Sequence, residues 1–281
     1  MNRVSTALLA RVVLPFALAT LALPCAIAQD KGFQPQVGQQ GKDVIWVPTP
    51  DEIVERMLRM AQTTANDYVI DLGSGDGRIA IAAAKKFGAR SAGLEFNPDM
   101  VKLSQRNAEK EGVAGKAKFQ QADIFVTDFS QATVLTMYLL PNLNLKLRPT
   151  ILNMKPGTRV VSHSFTMEDW QPDETSSVDG RNAYLWIVPA GVGGVWRLGV
   201  NGQNHEVTFD QRYQKIEGTI RLGVISAGLR EPFLNGFNIR FAYVDNAGQR
   251  HQFTGQVIGA RMEGSVRSDD GKESRWSAEK R

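Results

Sequence analysis

Three glycines and two acidic residues in the first half of the chain have the types and spacing of a nucleotide-type binding site. Gly73, Gly75 and Gly77 lie between a short apolar run and a helix-like pattern. A glycine turn lets a ligand approach the backbone closely, because a side chain there would clash. Asp71 stands near the end of the apolar run, and Glu95 ends the next one. An acid in the position of Glu95 can accept two hydrogen bonds from the vicinal hydroxyls of a ribose.

The spacing of the glycines separates the two ligands that use such a ribose contact. The dinucleotide fingerprint is G-x-G-x-x-G, whereas this turn reads G-x-G-x-G. Asp71 indicates the same choice, because a carboxylate repels a pyrophosphate and attracts an ammonium or a sulfonium group. The pattern therefore favours S-adenosylmethionine over a nicotinamide dinucleotide. The alternative without a ligand is a glycine turn that serves only the packing of a helix on a sheet.

The elements that must position these residues alternate between strand and helix. Strands are predicted over 68–72, 91–95, 117–121, 133–139 and 158–164, and helices over 76–87 and 97–112. This alternation predicts a parallel, doubly wound, Rossmann-like sheet. Asp179-Gly180 between two later strand-like runs predicts a hairpin, and with it an antiparallel edge of the sheet.

An additional helix is predicted just before the first strand. Thr49 is expected to cap it, Pro50 to take its first position, and Glu52 to complete a capping box. Ile53, Val54, Met57 and Leu58 would form its apolar stripe. These four residues are spaced to lie on one helical face.

The composition changes at Ala190-Gly191. The last 91 residues hold 14 of the 26 glycines, together with alternating runs that are separated by turn signals. Residues 191–281 are therefore predicted to form a smaller all-β domain of six to eight strands, either a sandwich or a small barrel. Trp196 is expected in its core, and Trp276 in the core or packed at an edge.

The amino end has the pattern of a secretory signal. Residues 1–28 begin with a basic stretch, continue with an apolar run and end in Ala26-Ile27-Ala28, an A-x-A cleavage motif. We expect cleavage near Ala28, export to the periplasm, and a flexible leader over 29–43. Two alternatives stay open: a membrane anchor over 12–28, and a lipoprotein attached at Cys25.

Composition also excludes several classes of site. Cys25 is the single cysteine, so a chain without residues 1–28 has no disulfide and no thiol nucleophile. His163, His205 and His251 are far apart in sequence, and no metal site is predicted. Without the two arginines of residues 1–28 the net charge is +2, which gives no support to a nucleic-acid partner.

Several of these segments together carry a resemblance to a known family. They are Val47-Pro48-Thr49, the stretch from Asp71 to Arg78, Glu95-Phe96-Asn97-Pro98, and residues 155–162. They resemble the class I S-adenosylmethionine-dependent methyltransferases, and most of all the small protein-lysine methyltransferases known from mitochondria, with their bacterial relatives. Those enzymes methylate lysines of membrane proteins, among them a small membrane component of ATP synthase. The resemblance covers about residues 44–190 and implies a seven-stranded sheet with a reversed last strand.

The resemblance also implies roles for individual residues. It places the methionine part of the cofactor at the glycine turn, the ribose at Glu95, and the adenine edge at Asp123-Ile124. The cofactor-binding residues that it implies are Asp71, Gly73, Ser74, Gly75, Asp76, Gly77, Glu95, Asn97, Asp123 and Ile124. Asp123 as a loop-entry cap is the alternative interpretation. Tyr138 would face the methyl acceptor or belong to the core, and the Asn or Asp with prolines that many amino-group methyltransferases carry there is missing.

Three functions are compatible with these patterns. The first is methylation of an amino group, a protein lysine on an envelope or secreted target. The second is methylation of a small molecule. The third is an exported, non-catalytic binding protein that kept the fold, and in any of the three the β domain could associate with the envelope.

Overall fold

The computed structural model describes Met1 and residues 33–281. Apart from Met1, the predicted signal segment 1–28, with Cys25 and the cleavage site, lies outside the described residues, as do residues 29–32 of the predicted leader. Within the described part, no helix has the length and apolar character needed to cross a membrane.

The first half of the described chain builds one seven-stranded sheet flanked by helices. Its elements are α1 (Asp51–Met60), β1 (Tyr68–Leu72), α2 (Arg78–Phe87), β2 (Arg90–Glu95), α3 (Pro98–Lys110), β3 (Ala117–Gln121), β4 (Val134–Met137), α4 (Pro141–Leu152), β5 (Arg159–His163), β6 (Glu174–Val178) and β7 (Arg181–Ile187). The strand order is β3-β2-β1-β4-β5-β7-β6, and β7 runs antiparallel to both of its neighbours. The predicted Rossmann-like sheet with a reversed last strand is confirmed, and so is the hairpin at Asp179-Gly180.

Buried apolar strands explain why this sheet forms. All four residues of β4 are buried, as are Val69, Ile70 and Leu72 of β1. Strands that are apolar on both faces belong in the middle of a sheet covered by helices. The predicted stripe of α1 packs against one of these faces, and its four members are all at most 2% exposed.

The start of α1 differs from the prediction. Pro50 is the N-cap, the helix begins at Asp51, and no side chain caps it. Thr49 is buried, and its hydroxyl bonds to His163 across the fold, so it is not available to cap the helix. The predicted capping box with Glu52 is therefore wrong.

Helix α4 was not predicted at all. Leucines at every second position (Leu143, Leu145 and Leu147) have the period of a β-strand. Pro149 is a residue that is unfavourable inside a helix, so the sequence pattern does not predict one here. Pro141 nevertheless starts the helix, since proline is well suited to the first helical turn. Tertiary packing of Leu143 and Leu147 in the core holds the helix in place.

The second half of the chain forms a nine-stranded antiparallel sheet. Its strands are β8 (Gly194–Val200), β9 (Gln203–Arg212), β10 (Lys215–Leu222), β11 (Ile225–Gly228), β12 (Arg230–Asn235), β13 (Asn238–Val244), β14 (Arg250–Ile258), β15 (Arg261–Ser268) and β16 (Glu273–Lys280). The order is β11-β10-β9-β8-β16-β15-β14-β13-β12. The structure has nine strands where six to eight were predicted. Several of the turns that connect them are only two residues long, so more strands fit into this length of chain.

This second sheet curls into a near-barrel. Strands β11 and β12 stand at opposite ends of the strand order, yet only Leu229 separates them in sequence. The two edges must therefore meet, and Leu229 N donates to Gly218 O of β10 at 2.8 Å. The interior is aromatic: Trp276 meets the stacked rings of Phe241 and Phe253 edge-on, and Trp196 is fully buried. Both tryptophans lie in the core, as the sequence predicts.

The near-barrel joins the first sheet at the amino ends of the parallel strands. Because β7 is reversed, it ends at Ile187 opposite Arg159, the first residue of β5. Beyond it, Ala190 N donates to Gly236 O at 2.8 Å. The β9–β10 turn docks nearby, where Trp170 Nε1 donates to Gln214 Oε1 at 3.0 Å.

Candidate active site

A cavity of about 130 Å³ lies at the carboxyl ends of β1, β2 and β4. This edge is where parallel α/β sheets bind their ligands. Its lining includes the predicted site residues Asp71, Gly73, Ser74, Gly75, Asp76, Glu95, Asn97, Asp123, Ile124 and Tyr138. The fold thus brings together residues that are far apart in the sequence, while Gly77 is not part of the lining. Direct contact of each residue with a cofactor stays a prediction.

The glycine turn serves both the cavity and the packing of the fold. Gly73 and Gly75 adopt φ of +73° and +54°, in the left-handed region that favours glycine. A Cβ on Gly75 would lie 2.8 Å from Trp46 Nε1 at the cavity. A Cβ on Gly77 would instead lie 2.7 Å from the Phe119 ring. Packing therefore requires glycine at both positions, and a ligand role stays a prediction for Gly73 and Gly75, which line the cavity.

Asp71 is a buried carboxyl group at the floor of the cavity. It is 2% exposed, and Thr136 Oγ1 donates to its Oδ1 at 2.7 Å. Burial raises the pKa of Asp71 to about 7, with smaller contributions from the charges of Asp76 and Glu95, while the Thr136 hydrogen bond opposes the increase. A cation placed beside Asp71 would favour its charged form. The site is therefore suited to the ammonium and sulfonium groups of S-adenosylmethionine.

Glu95 is oriented by two backbone groups. Gly75 N donates to Oε2 and Asn97 N donates to Oε1, both at 2.9 Å. Each carboxylate oxygen keeps a lone pair for a further donor, as two ribose hydroxyls require. Asn97 has a second task, because its side chain accepts from Asp99 N at 2.9 Å and caps α3.

Asp76 and Arg78 tie the glycine turn to the amino end of α1. Arg78 pairs with Asp76 at 2.6 Å and donates to Thr49 O at 2.9 Å. Asp76 is thus already neutralised by a neighbour, whereas Asp71 has no ion-pair partner in the described part of the chain. Of these two acids, Asp71 is therefore the one that can receive a cationic ligand.

Asp123 combines the two roles that its sequence position allows. Its Oδ1 accepts from Phe125 N at 2.9 Å, which is the loop-cap contact. Its Oδ2 accepts from Lys42 Nζ at 2.7 Å at the cavity, and this ammonium group lowers the pKa of Asp123. Lys42 also lies 4.5 Å from the centre of the half-exposed Phe96 ring. Lys42 is therefore hydrogen-bonded to the carboxylate that was predicted to lie at the adenine edge of the cofactor.

Lys42 belongs to a hairpin that covers the cavity. Gly38 N donates to Trp46 O and Trp46 N to Gln39 O, both at 2.9 Å. Trp46 contributes its indole to the cavity wall beside Gly75. Residues 29–43 were predicted to be a flexible leader, and neither Lys42 within it nor Trp46 just beyond it was predicted as a site residue. A tryptophan standing between a polar leader and the first helix was the available signal.

The opposite end of the cavity is aromatic. The Tyr138 ring lies between His163, with ring centres 4.0 Å apart, and Phe165, at 6.0 Å. His163 is 2% exposed, and its Nδ1 is hydrogen-bonded to Thr49 Oγ1 at 3.2 Å. No partner for its Nε2 is found among residues 33–281. Burial, assisted by Arg181, lowers the pKa of His163 to about 4, so the imidazole is neutral at physiological pH.

Comparison with known proteins identifies the family. The model of the ANTKMT methyltransferase domain matches residues 71–174. A protein-lysine N-methyltransferase of Saccharolobus islandicus is 44% identical over 151 residues, which cover 52% of this chain and 94% of that protein. The adenine nucleotide translocase lysine N-methyltransferase of Mus musculus is 30% identical over 142 residues, 50% of this chain and 56% of that protein.

A solved structure agrees with these matches. The RNA methyltransferase from Salinibacter ruber, in complex with S-adenosyl-L-homocysteine, is 49% identical, covers 52% of this chain and 96% of its own, and superimposes with a TM-score of 0.51. S-adenosylmethionine is therefore the cofactor, and the buried Asp71, the glycine turn and the oriented Glu95 fit it. The chain belongs to the family of class I S-adenosylmethionine-dependent methyltransferases that includes the protein-lysine N-methyltransferase of Saccharolobus islandicus.

Proposed function

We propose that this methyltransferase modifies the side-chain amine of a protein lysine. The observation that carries the proposal is the 44% identity to a protein-lysine N-methyltransferase over 94% of that relative's length. The mouse lysine N-methyltransferase named for the adenine nucleotide translocase supports it, although this chain covers only 56% of that protein.

RNA is the competing acceptor, because the Salinibacter ruber relative is named an RNA methyltransferase. RNA binding requires clustered basic residues that neutralise phosphates. Residues 29–190, which include the whole first sheet, carry a formal net charge of −1. This balance favours a protein acceptor over RNA.

Different residues around the cavity would bind the cofactor and contact the acceptor. The cofactor supplies a methyl group on a sulfonium centre. Asp71 and Glu95 bind and orient it, and Tyr138, packed against Phe165 behind it, gives the acceptor end an aromatic wall. Alignment of two reactants at near-attack distance supplies roughly 7 to 11 kcal/mol.

Proton loss from the lysine follows from the same environment. An ammonium group that enters a poorly hydrated site has its pKa lowered, because desolvation disfavours the charged form. The like charge of a bound sulfonium would lower the pKa of the amine further, and the proton would leave to solvent before the methyl group is transferred, because His163 is neutral and adds no charge here. We therefore assign no residue as a dedicated base.

The acceptor is tested by methylation with isotopically labelled S-adenosylmethionine. The purified chain from Gln29 onward is incubated with a protein extract and, separately, with purified RNA, using Asp71→Ala as the inactive control. Label recovered as methyl-lysine after acid hydrolysis of protein is the expected result. Label only in RNA, or in protein but not in methyl-lysine, would overturn the lysine proposal.

We further propose that the enzyme is exported and that its target is an envelope or secreted protein. The basic start of residues 1–28, their apolar run and the A-x-A motif support export, with cleavage after Ala28. Cell fractionation followed by amino-terminal sequencing tests this. A periplasmic chain that starts at Gln29 is expected, and a cytoplasmic chain that keeps residue 1 would contradict it.

A further inference from the structure

A broad groove crosses the outer face of the near-barrel. It has a volume of about 1120 Å³ and is lined by residues of β8, β9 and β12–β16 or their adjoining turns. The groove is polar and belongs to the half of the molecule to which the methyltransferase activity assigns no role.

The strand register places its lining in two rows across the sheet. The first row runs through Asn204, Gly199, Ser277, Glu263, Gln256 and Asn238. The second runs through Arg275, Ser265, Thr254, Arg240 and Phe233. The neighbouring strand residues Trp276, Phe253 and Phe241 are buried in the barrel, so both rows face outward.

Small and hydroxyl-bearing residues occupy the middle of each row. Gly199 and Ser277 lie next to each other in the first row, and Ser265 and Thr254 in the second. Such a floor lets a ligand come close to the sheet, and its hydroxyls and amides donate and accept hydrogen bonds. These are the partners that a hydroxyl-rich ligand requires.

Two arginines in the second row lack a carboxylate partner. Glu263 is taken by Arg261 at 2.6 Å, whereas no acidic side chain among the described residues lies within ion-pair distance of Arg240 or Arg275. Arg240 lies over the Phe233 ring, 5.2 Å from its centre. Arg240 and Arg275 are three strand spacings apart, which is about 14 Å at the usual separation of strands.

We propose that this groove binds an extended acidic polysaccharide, a chain whose carboxylates are spaced by neutral sugars. The wide spacing of the two free arginines matches sparse negative charges, and the hydroxyl and amide floor matches the sugars between them. Nucleic acid fits poorly, because it carries a phosphate roughly every 3.4 Å along each duplex strand and its single strands need stacking aromatic residues. Phe233 is the aromatic side chain of these two rows, and Arg240 covers it. A peptide strand would pair with a sheet edge and not with this face.

Calorimetric titration of the chain from Gln29 onward with hyaluronan oligosaccharides tests the proposal, since their acidic sugars alternate with neutral ones. Dextran serves as a neutral polysaccharide and single-stranded DNA as a nucleic acid. Hyaluronan is expected to bind, with an affinity reduced at least tenfold by the double substitution Arg240→Ala with Arg275→Ala. Both side chains are exposed, so the variant is expected to fold, and its near-ultraviolet circular dichroism is compared with that of the unsubstituted chain.

A matched control lies on the same strand face outside the groove. Arg197 of β8 is exposed and pairs with Glu279 at 2.8 Å, and Arg197→Ala is expected to leave binding unchanged. Equal binding of dextran, stronger binding of DNA, no binding of hyaluronan, or an equal loss in Arg197→Ala would each overturn the proposal. Methyltransferase activity plays no part in this readout, so the two proposals fail separately.

Discussion

The rings of Tyr138 and His163 pack against each other with centres 4.0 Å apart and planes tilted by 38°, directly beside the methyltransferase cavity. The contact exists because β4 and β5 are adjacent and end at the same level, where Met137 pairs with Ser162. Immediately after His163, Ser164 adopts φ of +62° in a γ-turn closed by Phe165 N on His163 O at 2.7 Å. Strained backbone of this kind is concentrated at functional sites.

The contact between the two rings predicts that His163 orients Tyr138 for the methyl acceptor. His163→Ala is expected to lower kcat about tenfold, because the tyrosine ring loses its support, while the Kd for S-adenosylmethionine changes less than twofold. His163→Phe keeps an aromatic partner and is expected to retain most of the activity. Steady-state kinetics and calorimetry measure both quantities, and a weaker cofactor affinity with unchanged kcat would refute the positioning role.

The raised pKa of Asp71 predicts pH-dependent cofactor binding. With a pKa of about 7, a large fraction of Asp71 is protonated at pH 6 in the free enzyme. The cationic cofactor prefers the ionised carboxylate, so its affinity is expected to rise as pH increases from 6 to 8, with release of a proton on binding. Titration in buffers of different ionisation enthalpy measures that proton. Asp71→Asn is expected to bind weakly and without this pH dependence.

The raised pKa of Asp71 also predicts that the stability of the ligand-free chain decreases as pH rises, whereas its affinity for the cofactor increases. Between pH 4 and pH 7 the folded chain holds a proton that the unfolded chain has lost, so the free energy of unfolding falls as pH rises through this window. Asp71→Asn removes this loss and is expected to be more stable than the unsubstituted, ligand-free chain at pH 8, by an amount on the order of 4 kcal/mol. Urea unfolding at pH 5 and pH 8 checks the difference, and equal stability of the two chains at both values would contradict it.

The ion pair between Lys42 and Asp123 predicts competition at the adenine end. The ammonium group occupies one of the oxygens that the resemblance assigns to the adenine edge. Lys42→Met is therefore expected to tighten cofactor binding by no more than about fivefold, since solvent screens an ion pair that is partly exposed. Lys118→Met, on an exposed lysine of β3 that is not part of the cavity lining, is the control. Weaker binding in Lys42→Met would show that the lysine assists the cofactor instead.

The docked β9–β10 turn predicts that the near-barrel supports the catalytic half. Trp170 is fully buried, and Gln214 accepts a hydrogen bond from its indole nitrogen. Trp170→Phe removes that bond and leaves a cavity, with an expected loss of roughly 1 to 3 kcal/mol. Urea denaturation followed by fluorescence and circular dichroism provides the measurement. Exposed Arg181→Ala is the control, and an unchanged midpoint in Trp170→Phe would contradict the prediction.

Local patterns predicted the parallel sheet of the catalytic half, together with α2, α3 and the hairpin, but not α4. Strand β1 was predicted with its observed ends, because an apolar run between turn residues has one interpretation in an alternating α/β pattern. The Asn97 cap of α3 was also predicted correctly, because its hydrogen bond is made with Asp99, only two residues away. The glycine turn was predicted as a ligand site for the same reason, and two of its glycines line the cavity.

Hydrogen bonds between residues far apart in the chain could not be predicted from the sequence. Thr49 was predicted to cap a helix, but it bonds to His163, which lies 114 residues further along the chain. His163 itself gave no signal, because its importance depends on the neighbouring strand that leads to Tyr138. Lys42 reaches Asp123 across 81 residues of sequence, and no local pattern records such a pairing.

The reversal of β7 has a consequence for how this fold can grow. A parallel last strand would have delivered the chain to the edge where the cofactor binds, and any added segment would have had to leave across the cavity. The reversed strand ends beside Arg159, at the other edge. The Saccharolobus relative, 94% of which is matched within 151 residues, has no room for a second sheet of this size. The second sheet is therefore attached at the edge of the seven-stranded sheet that lies opposite the cofactor cavity, and the chain reaches it without crossing that cavity.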